Sequence, residues 1–415
     1  MTPRELRDAE HRLLAFLTPI LAQIGRAERR QWAGFYVRGL LLEGGRKTAA
    51  GMARRYGGDE QALQQLVSQS PWDWMTVRRA LAQRVVPALD ATRWGWLIDD
   101  TGFPKKGRHS VGVARQYSGT LGKIGNCQIG VSLNIATAEA CVPVDFTLYL
   151  PEEWTRDPAR CRRVGIPLPV EHRPKWQLAL ELIDHARTWG LPAGVVGADA
   201  GYGVVQAFRQ ALQARELPYV VGISPQVGVW LTEVVAARPP YQGRGRPRTR
   251  AVGLPRPQSV ADVARALPAD AWHTVTWREG TKGPLRSRFA AVRAQPSSGH
   301  VQGEVREPLQ WLLIEWPADE PEPTKYWLST LSAETALVDL VWWAKLRWWV
   351  EQNYQQLKDE LGLDHFEGRT WMGWHHHVTL TMIAFDFLVL EMLRSKKNFW
   401  VDSAADSPGA ATDFG

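Results

Sequence analysis

The chain has 415 residues, enough for two or three domains, and its 45% hydrophobic content supplies a sizeable core. A formal net charge of +7 suits a polyanionic partner, while three cysteines (Cys127, Cys141 and Cys161) without CxxC or zinc spacing suggest a reduced, cytoplasmic protein. The N-terminal stretch carries acids and no long apolar run, so it does not read as a signal peptide, and no apolar run of about eighteen residues offers a membrane span.

Residues 1–88 read as an all-helical domain, with apolar residues three and four apart in AEHRLLAFLTPILAQI and QWAGFYVRGLLLEG. KTAAGMARRYG followed by EQALQQLVSQ resembles helix, turn and helix. A further helix over SPWDWMTVRRALAQRV takes Ser70 as its N-cap and Pro71 at its first position. Arg54, Arg55, Arg78, Arg79 and Arg84 make the region either a DNA-contacting module or a bundle with a solvated basic face.

The pattern changes at Arg93. WGWLIDDTG is an apolar run ending in two carboxylates, as expected of a buried strand. GVARQYSG, CQIGVSLNIATA and ACVPVDFTLYLP read as three more strands. PKWQLALELIDHARTWG is an amphipathic helix, GVVGADAGYG a short strand ending at Asp199, VVQAFRQALQAREL a helix and PYVVGIS a strand. This order predicts a mixed α/β sheet covered by helices over residues 89–224.

Residues 225–325 break the alternation and read as a mainly β insertion with a basic loop, AARPPYQGRGRPRTRAVGLPRPQ. Its RGRP, Arg244 to Pro247, is similar to a minor-groove-binding core, so Arg244 and Arg246 are candidate DNA contacts beside the alternative of a solvated loop. The core resumes near KYWLSTL and spans 326–395, and the small, polar tail from Lys396 is expected to be disordered.

WWAKLRWWVEQNYQQLKDELG, residues 342–362, reads as one helix stopped by Gly362. Helical spacing puts Arg347, Glu351, Tyr354 and Lys358 on one face. That face is either part of an ion-paired core helix or a metal-binding glutamate between cations that grip phosphate. Asp100 and Asp199 end two strands, and strand ends at one edge of an α/β sheet converge. Three gathered carboxylates need cations, and hard oxygen ligands suit Mg²⁺ or Mn²⁺. His375, His376 and His377 point three ways from a helix, which favours structural or DNA-contact roles over one shared metal. GTLGKIG lacks the ending and spacing of a P-loop, so no nucleotide cofactor is implied.

These stretches resemble the DDE transposases of bacterial insertion sequences, in particular the insertion-sequence-four-like group. WLIDDTGFPKKG is similar to that group's first-aspartate strand and VVGADAGYG to its second. Arg347, Glu351 and Lys358 match its Tyr-x2-Arg-x3-Glu-x6-Lys signature, except that Ala344 stands at the Tyr position. SVGVARQYSGTLGKIGNCQIGV and LGLDHFEGR add to the likeness, which covers roughly residues 90–395.

The resemblance implies an RNase H-like catalytic core interrupted by a β insertion. It implies Asp100, Asp199 and Glu351 as catalytic ligands of two Mg²⁺ ions, for which Mn²⁺ would substitute. Asp100 is chosen over Asp99 because it directly precedes Thr101, and only one of two neighbouring strand residues faces a given side. Arg347 and Lys358 are implied as phosphate contacts, and Lys105 and Lys106 stand after the same strand. The expected activity is cleavage of double-stranded DNA at transposon ends and joining of the freed 3′-hydroxyl to target DNA, by a homodimer on DNA. A nuclease that does not join, a DNA-binding regulator and a non-DNA metal hydrolase are the alternatives.

Overall fold

The computed structural model describes residues 2–234, 243, 254–280, 283–297 and 307–405. Five α-helices precede the first strand: α1 (Pro3–Leu21), α2 (Ala27–Leu41), α3 (Ala49–Tyr56), α4 (Glu60–Ser68) and α5 (Trp74–Val85). Each of α1, α3, α4 and α5 starts at a side chain that accepts backbone N–H bonds: Thr2, Thr48, Asp59 and Asp73. Gly57, in the left-handed conformation at φ 71°, ends α3 and makes the turn into α4. The cap of α5 is Asp73 and not Ser70. Trp72, between them, is buried, with its indole N–H donated to the Leu66 carbonyl at 3.0 Å, so the helix can begin only after it.

The sheet begins with β1 (Gly95–Pro104), β2 (Ala114–Ser118), β3 (Lys123–Ala136) and β4 (Cys141–Leu148). Two short helices, α6 (Glu152–Thr155) and α7 (Pro158–Val164), lead to α8 (Lys175–Thr188). Then come β5 (Val195–Ala198), α9 (Ala200–Gly203), α10 (Gln206–Ala214) and β6 (Tyr219–Ile223). β3 runs antiparallel to β1, β2 and β4, whereas β5 is parallel to both β1 and β6. The order β4-β3-β1-β5-β6, three antiparallel strands followed by two parallel ones, is the mixed sheet expected of an RNase H-like core.

The segment after β6 extends this same sheet. Its described elements are β7 (Gly228–Trp230), β8 (Gln258–Ser259), α11 (Val260–Ala266), β9 (His273–Gly280), β10 (Gly283–Pro296) and β11 (Gln310–Trp316), mostly strands. β12 (Lys325–Ser329) pairs with β6 on one side and β11 on the other, so the added strands continue outward from the core. Arg244 and Arg246 lie outside the described residues.

The helix expected over 342–362 is two helices, α12 (Leu337–Lys345) and α13 (Trp348–Asp359). At the junction Trp349 and Val350 donate to the carbonyls three residues back, Leu346 and Arg347, a tighter turn than the α-helix allows. Gly362, at φ 69°, follows the end of α13. The last element, α14 (Trp371–Ala405), packs on α2, α4, α5 and β4. Lys396 to Ala405 are therefore helical, where a disordered tail was expected.

The three consecutive histidines of α14 fasten the first helices to the core. His375 stacks on Trp74, the two ring nitrogens of His376 lie 2.9 Å from the Val67 and Trp72 carbonyl oxygens, which accept from whichever nitrogen carries a proton, and His377 meets the Tyr36 hydroxyl at 2.9 Å. All three are buried, and burial lowers their pKa values, those of His376 and His377 to about 4. Their role is structural. One apolar cluster runs unbroken from Leu17 and Val37 through Ile98 and Leu133 to Leu357 and Ile383. Among the described residues no helix is long and apolar enough to cross a membrane.

Candidate active site

β1 delivers two adjacent carboxylates to opposite sides of the sheet. Asp99 lies opposite Ser132 in register, and the Ser132 hydroxyl is 2.6 Å from that of Tyr354 on α13. Asp99 thus faces the helix that carries Glu351. Arg347, at the start of α13, donates through Nη1 to Asp99 at 2.6 Å and through Nη2 to Glu351 at 2.8 Å. Asp100 instead accepts from Lys175 Nζ at 2.9 Å, at the start of α8, and from the Tyr202 hydroxyl at 3.3 Å. The choice of Asp100 from its place before Thr101 is not the one this geometry favours.

Asp199 ends β5 beside β1 and caps α9, accepting from the Gly201 N–H at 2.9 Å. With Arg347, Glu351, Trp277, Arg278 and Trp348 it lines a cleft of about 450 Å³. Burial pushes the Asp99 carboxyl up to about 7; Arg347 opposes the rise and the neighbouring Asp199 charge adds to it. Burial works against the Arg347 charge, but Asp99 and Glu351 outweigh it and its pKa is raised. Tyr202 and Tyr354, fully enclosed beneath these carboxylates, are pushed well above the ordinary tyrosine value, first of all by burial.

Among the described residues no three carboxylate, histidine or cysteine side chains stand together as a ready metal cage. The donor chemistry nevertheless fits a hard cation: Asp99 and Asp199 are close enough to repel, and a guanidinium already sits between Asp99 and Glu351 as the compensating charge. Glu351, at the cleft's edge, is 61% exposed and, among the described residues, is bonded to Arg347 one turn back on its own helix.

The other expected contacts divide. Lys358 donates to the Gly102 carbonyl at 2.9 Å and to the Thr120 hydroxyl at 3.0 Å, leaving one ammonium proton unassigned. Lys105 donates to the Phe366 carbonyl at 2.6 Å, and burial lowers its pKa to about 8. Lys106 and Arg79 are exposed. Arg78 is not available to DNA: it is fully buried, paired with Asp145 at 2.9 Å and bonded to Thr379 and the Phe146 carbonyl. Read with its neighbouring arginines it belonged to a basic face, and nothing local revealed the acid that it meets from β4.

Some neighbours of the site left no trace in the sequence reading. Arg278 of β9 lies over the Trp348 ring at 3.4 Å, joining the inserted strands to α13. Lys175 and Tyr202, from α8 and α9, hold Asp100, a contact across the chain that no local pattern announces. Ala344, at the signature Tyr position, is buried on α12, before the turn that separates it from Glu351.

The family profile described as "DDE superfamily endonuclease" matches residues 19–284. A protein described as the probable transposase for insertion sequence element IS701, from Microchaete diplosiphon, is 29% identical over 180 residues, covering 43% of this chain and 44% of that protein. The chain thus spans less than half the length of this relative. The profile takes in α2 through β9, including the β1 and β5 carboxylates; on that match the chain belongs to the DDE superfamily endonucleases.

Proposed function

We propose that this protein is a transposase that cuts DNA at the inverted repeats ending its own element and joins the freed 3′-hydroxyl to target DNA. The observation that carries this reading is the bridge from Asp99 through Arg347 to Glu351, with Asp199 at the end of the adjacent strand. Enzymes of this superfamily generally use divalent metal ions. We assign Asp99, Asp199 and Glu351 as the carboxylates that would hold two Mg²⁺ ions, with Mn²⁺ able to replace them. Asp100 is the alternative on β1. Ions held there would supply activation of the attacking oxygen and stabilisation of the leaving one.

The chain's own residues orient the substrate. Arg347 shifts from neutralising two carboxylates to meeting a phosphate oxygen, which its planar fork suits. Lys358, held against Gly102 and Thr120, offers its remaining proton to a phosphate. Tyr354 and Ser132 keep the floor beneath Asp99 fixed. Pairing of two DNA ends calls for a homodimer on DNA, and the setting we propose is the bacterial cytoplasm.

The test is cleavage and joining, in Mg²⁺, of a duplex bearing the inverted repeat that flanks the gene. Wild type is expected to nick at the repeat end and join. Asp99→Asn is expected to lose at least about a hundredfold in rate, the scale of a lost charge-stabilising group, and Asp100→Asn much less. Cutting without joining would make the protein a nuclease, and binding without cutting a regulator. Retained activity in Asp99→Asn with loss in Asp100→Asn would return the ligand role to Asp100.

A further inference from the structure

The β2–β3 hairpin carries two of the most exposed large apolar side chains among the described residues, Tyr117 at 63% and Ile124 at 59%. They are direct cross-strand partners and so stand together on one face. Arg115 and Asn126, matched two residues along each strand beyond Gln116 and Gly125, share that face. An apolar pair held up to solvent at a hairpin end gains nothing for the fold, since the core lies on the other side of the strands.

Its surroundings are basic. Between Asp100 and Glu139 the chain contains no acid, yet it carries Lys105, Lys106, Arg108, Arg115 and Lys123. The Asn126 side-chain amide donates to the Lys105 carbonyl at 2.6 Å and to the Gly107 carbonyl at 3.0 Å, locking the basic loop beside the hairpin. The hairpin is also seated on the candidate active site: Thr120, at its tip, accepts from Lys358 Nζ at 3.0 Å and from the Gly102 backbone N–H at 3.3 Å. Gly102 belongs to the strand of Asp99 and Asp100, and Lys358 to the helix of Glu351.

We propose that the β2–β3 hairpin is a DNA-contacting wedge, in which Tyr117 and Ile124 pack against the bases or sugars of the strand entering the cleft while Arg115 and the Lys106–Arg108 loop hold its phosphates. Aromatic rings take bases of any sequence, and apolar side chains inserted at a base step open and bend the duplex. The charge of the surround selects nucleic acid over an apolar protein partner. The fixed seat on Lys358 places the wedge next to the phosphate being cut. This assignment rests on the reading of the protein as a DNA-processing enzyme.

The experiment uses the full chain and a fluorescently labelled duplex ending in the flanking inverted repeat, with 2-aminopurine near the terminus. Binding and 2-aminopurine emission are measured for wild type, Tyr117→Ala, Tyr117→Phe and Ile124→Thr, with thermal melting to confirm the fold. Tyr117→Ala is expected to bind on the order of tenfold more weakly and to lose the emission rise that reports base unstacking, whereas Tyr117→Phe stays within about twofold of wild type. If wild type binds and unstacks the duplex and both Tyr117→Ala and Ile124→Thr match it, the wedge is wrong while the DNA-processing reading stands. A change in oligomeric mass with unaltered DNA binding would overturn the wedge in favour of a protein contact. Failure of wild type to bind any DNA would remove both.

Discussion

Arg347 donates to Asp99 across 2.6 Å, tying the first turn of α13 to the middle of the sheet. The same guanidinium holds Glu351, so one side chain balances two carboxylates that would otherwise repel. Its fork spans two acceptors at once, and a lysine cannot. Arg347→Ala and Arg347→Lys are therefore both expected to lower DNA cleavage, by on the order of a hundredfold for the alanine. Single-turnover rates would check this, and full activity in Arg347→Lys would show that charge alone suffices.

Divalent ion binding has a readout independent of catalysis. A ligand bound only by the folded state raises stability, by about 2.7 kcal/mol at a hundred times its dissociation constant. Titrating Mg²⁺ into wild type should raise the melting temperature progressively. Asp199→Asn and Glu351→Gln should flatten that rise, whereas Lys106→Ala should leave it intact.

Arg78 and Arg79 are adjacent in sequence and opposite in consequence. Arg78→Ala leaves Asp145 buried without its main partner, at a cost of about 3–5 kcal/mol in chemical denaturation. Arg79 is exposed, and Arg79→Ala should change stability by no more than about 0.5 kcal/mol. Equal stability of the two variants would contradict the burial of Arg78.

Asp145 also accepts from His185 Nδ1 at 2.8 Å, and this hydrogen bond, against the cost of burial, raises the histidine's pKa above its ordinary value. The protonated form is thus favoured in the folded state. Its contribution is complete below the unfolded-state pKa of about 6.5 and fades as pH climbs through the raised folded value. Of the groups facing it, Asp145 and Glu181 favour the charge and Arg78 opposes it. Wild type should lose stability relative to His185→Gln between slightly acidic and mildly alkaline pH, and parallel pH profiles for the two would exclude the effect.

Gly203 closes α9 against β6. A methyl group there would run into the Gly222 backbone carbonyl and the Val221 side chain, neither of which can turn aside. Gly203→Ala should cost about 1–3 kcal/mol. Because α9 begins at Asp199, it should also weaken Mg²⁺ binding. A melting curve and the Mg²⁺ titration together would test this.

Much of the architecture could be read from the sequence because the signals were local. Alternation and apolar runs located β1, β3, β4, β5 and β6, and three- and four-residue spacing located α8 and α10. What escaped depends on pairing across the chain. The facing of Asp99 follows from its register with Ser132 and the contact of Ser132 with Tyr354, 222 residues apart. Arg78 looked like any surface arginine until Asp145 met it from a strand. The turn at Leu346 and Arg347 carries no proline or glycine, so composition gave no warning that α12 and α13 are separate. The cap of α5 went to Asp73 because Trp72 had a buried place of its own to fill.

The histidine row of α14 bears on how such a protein can diversify. Its three rings plug into Tyr36, Val67, Trp72 and Trp74, so the last long helix and the first four-score residues share one interior. A graft that exchanged the leading helices for those of a relative would strip this interior bare and leave three buried imidazoles searching for acceptors. Changes made one side chain at a time on the outer surface leave this shared interior intact, whereas trading the leading helices as a unit does not.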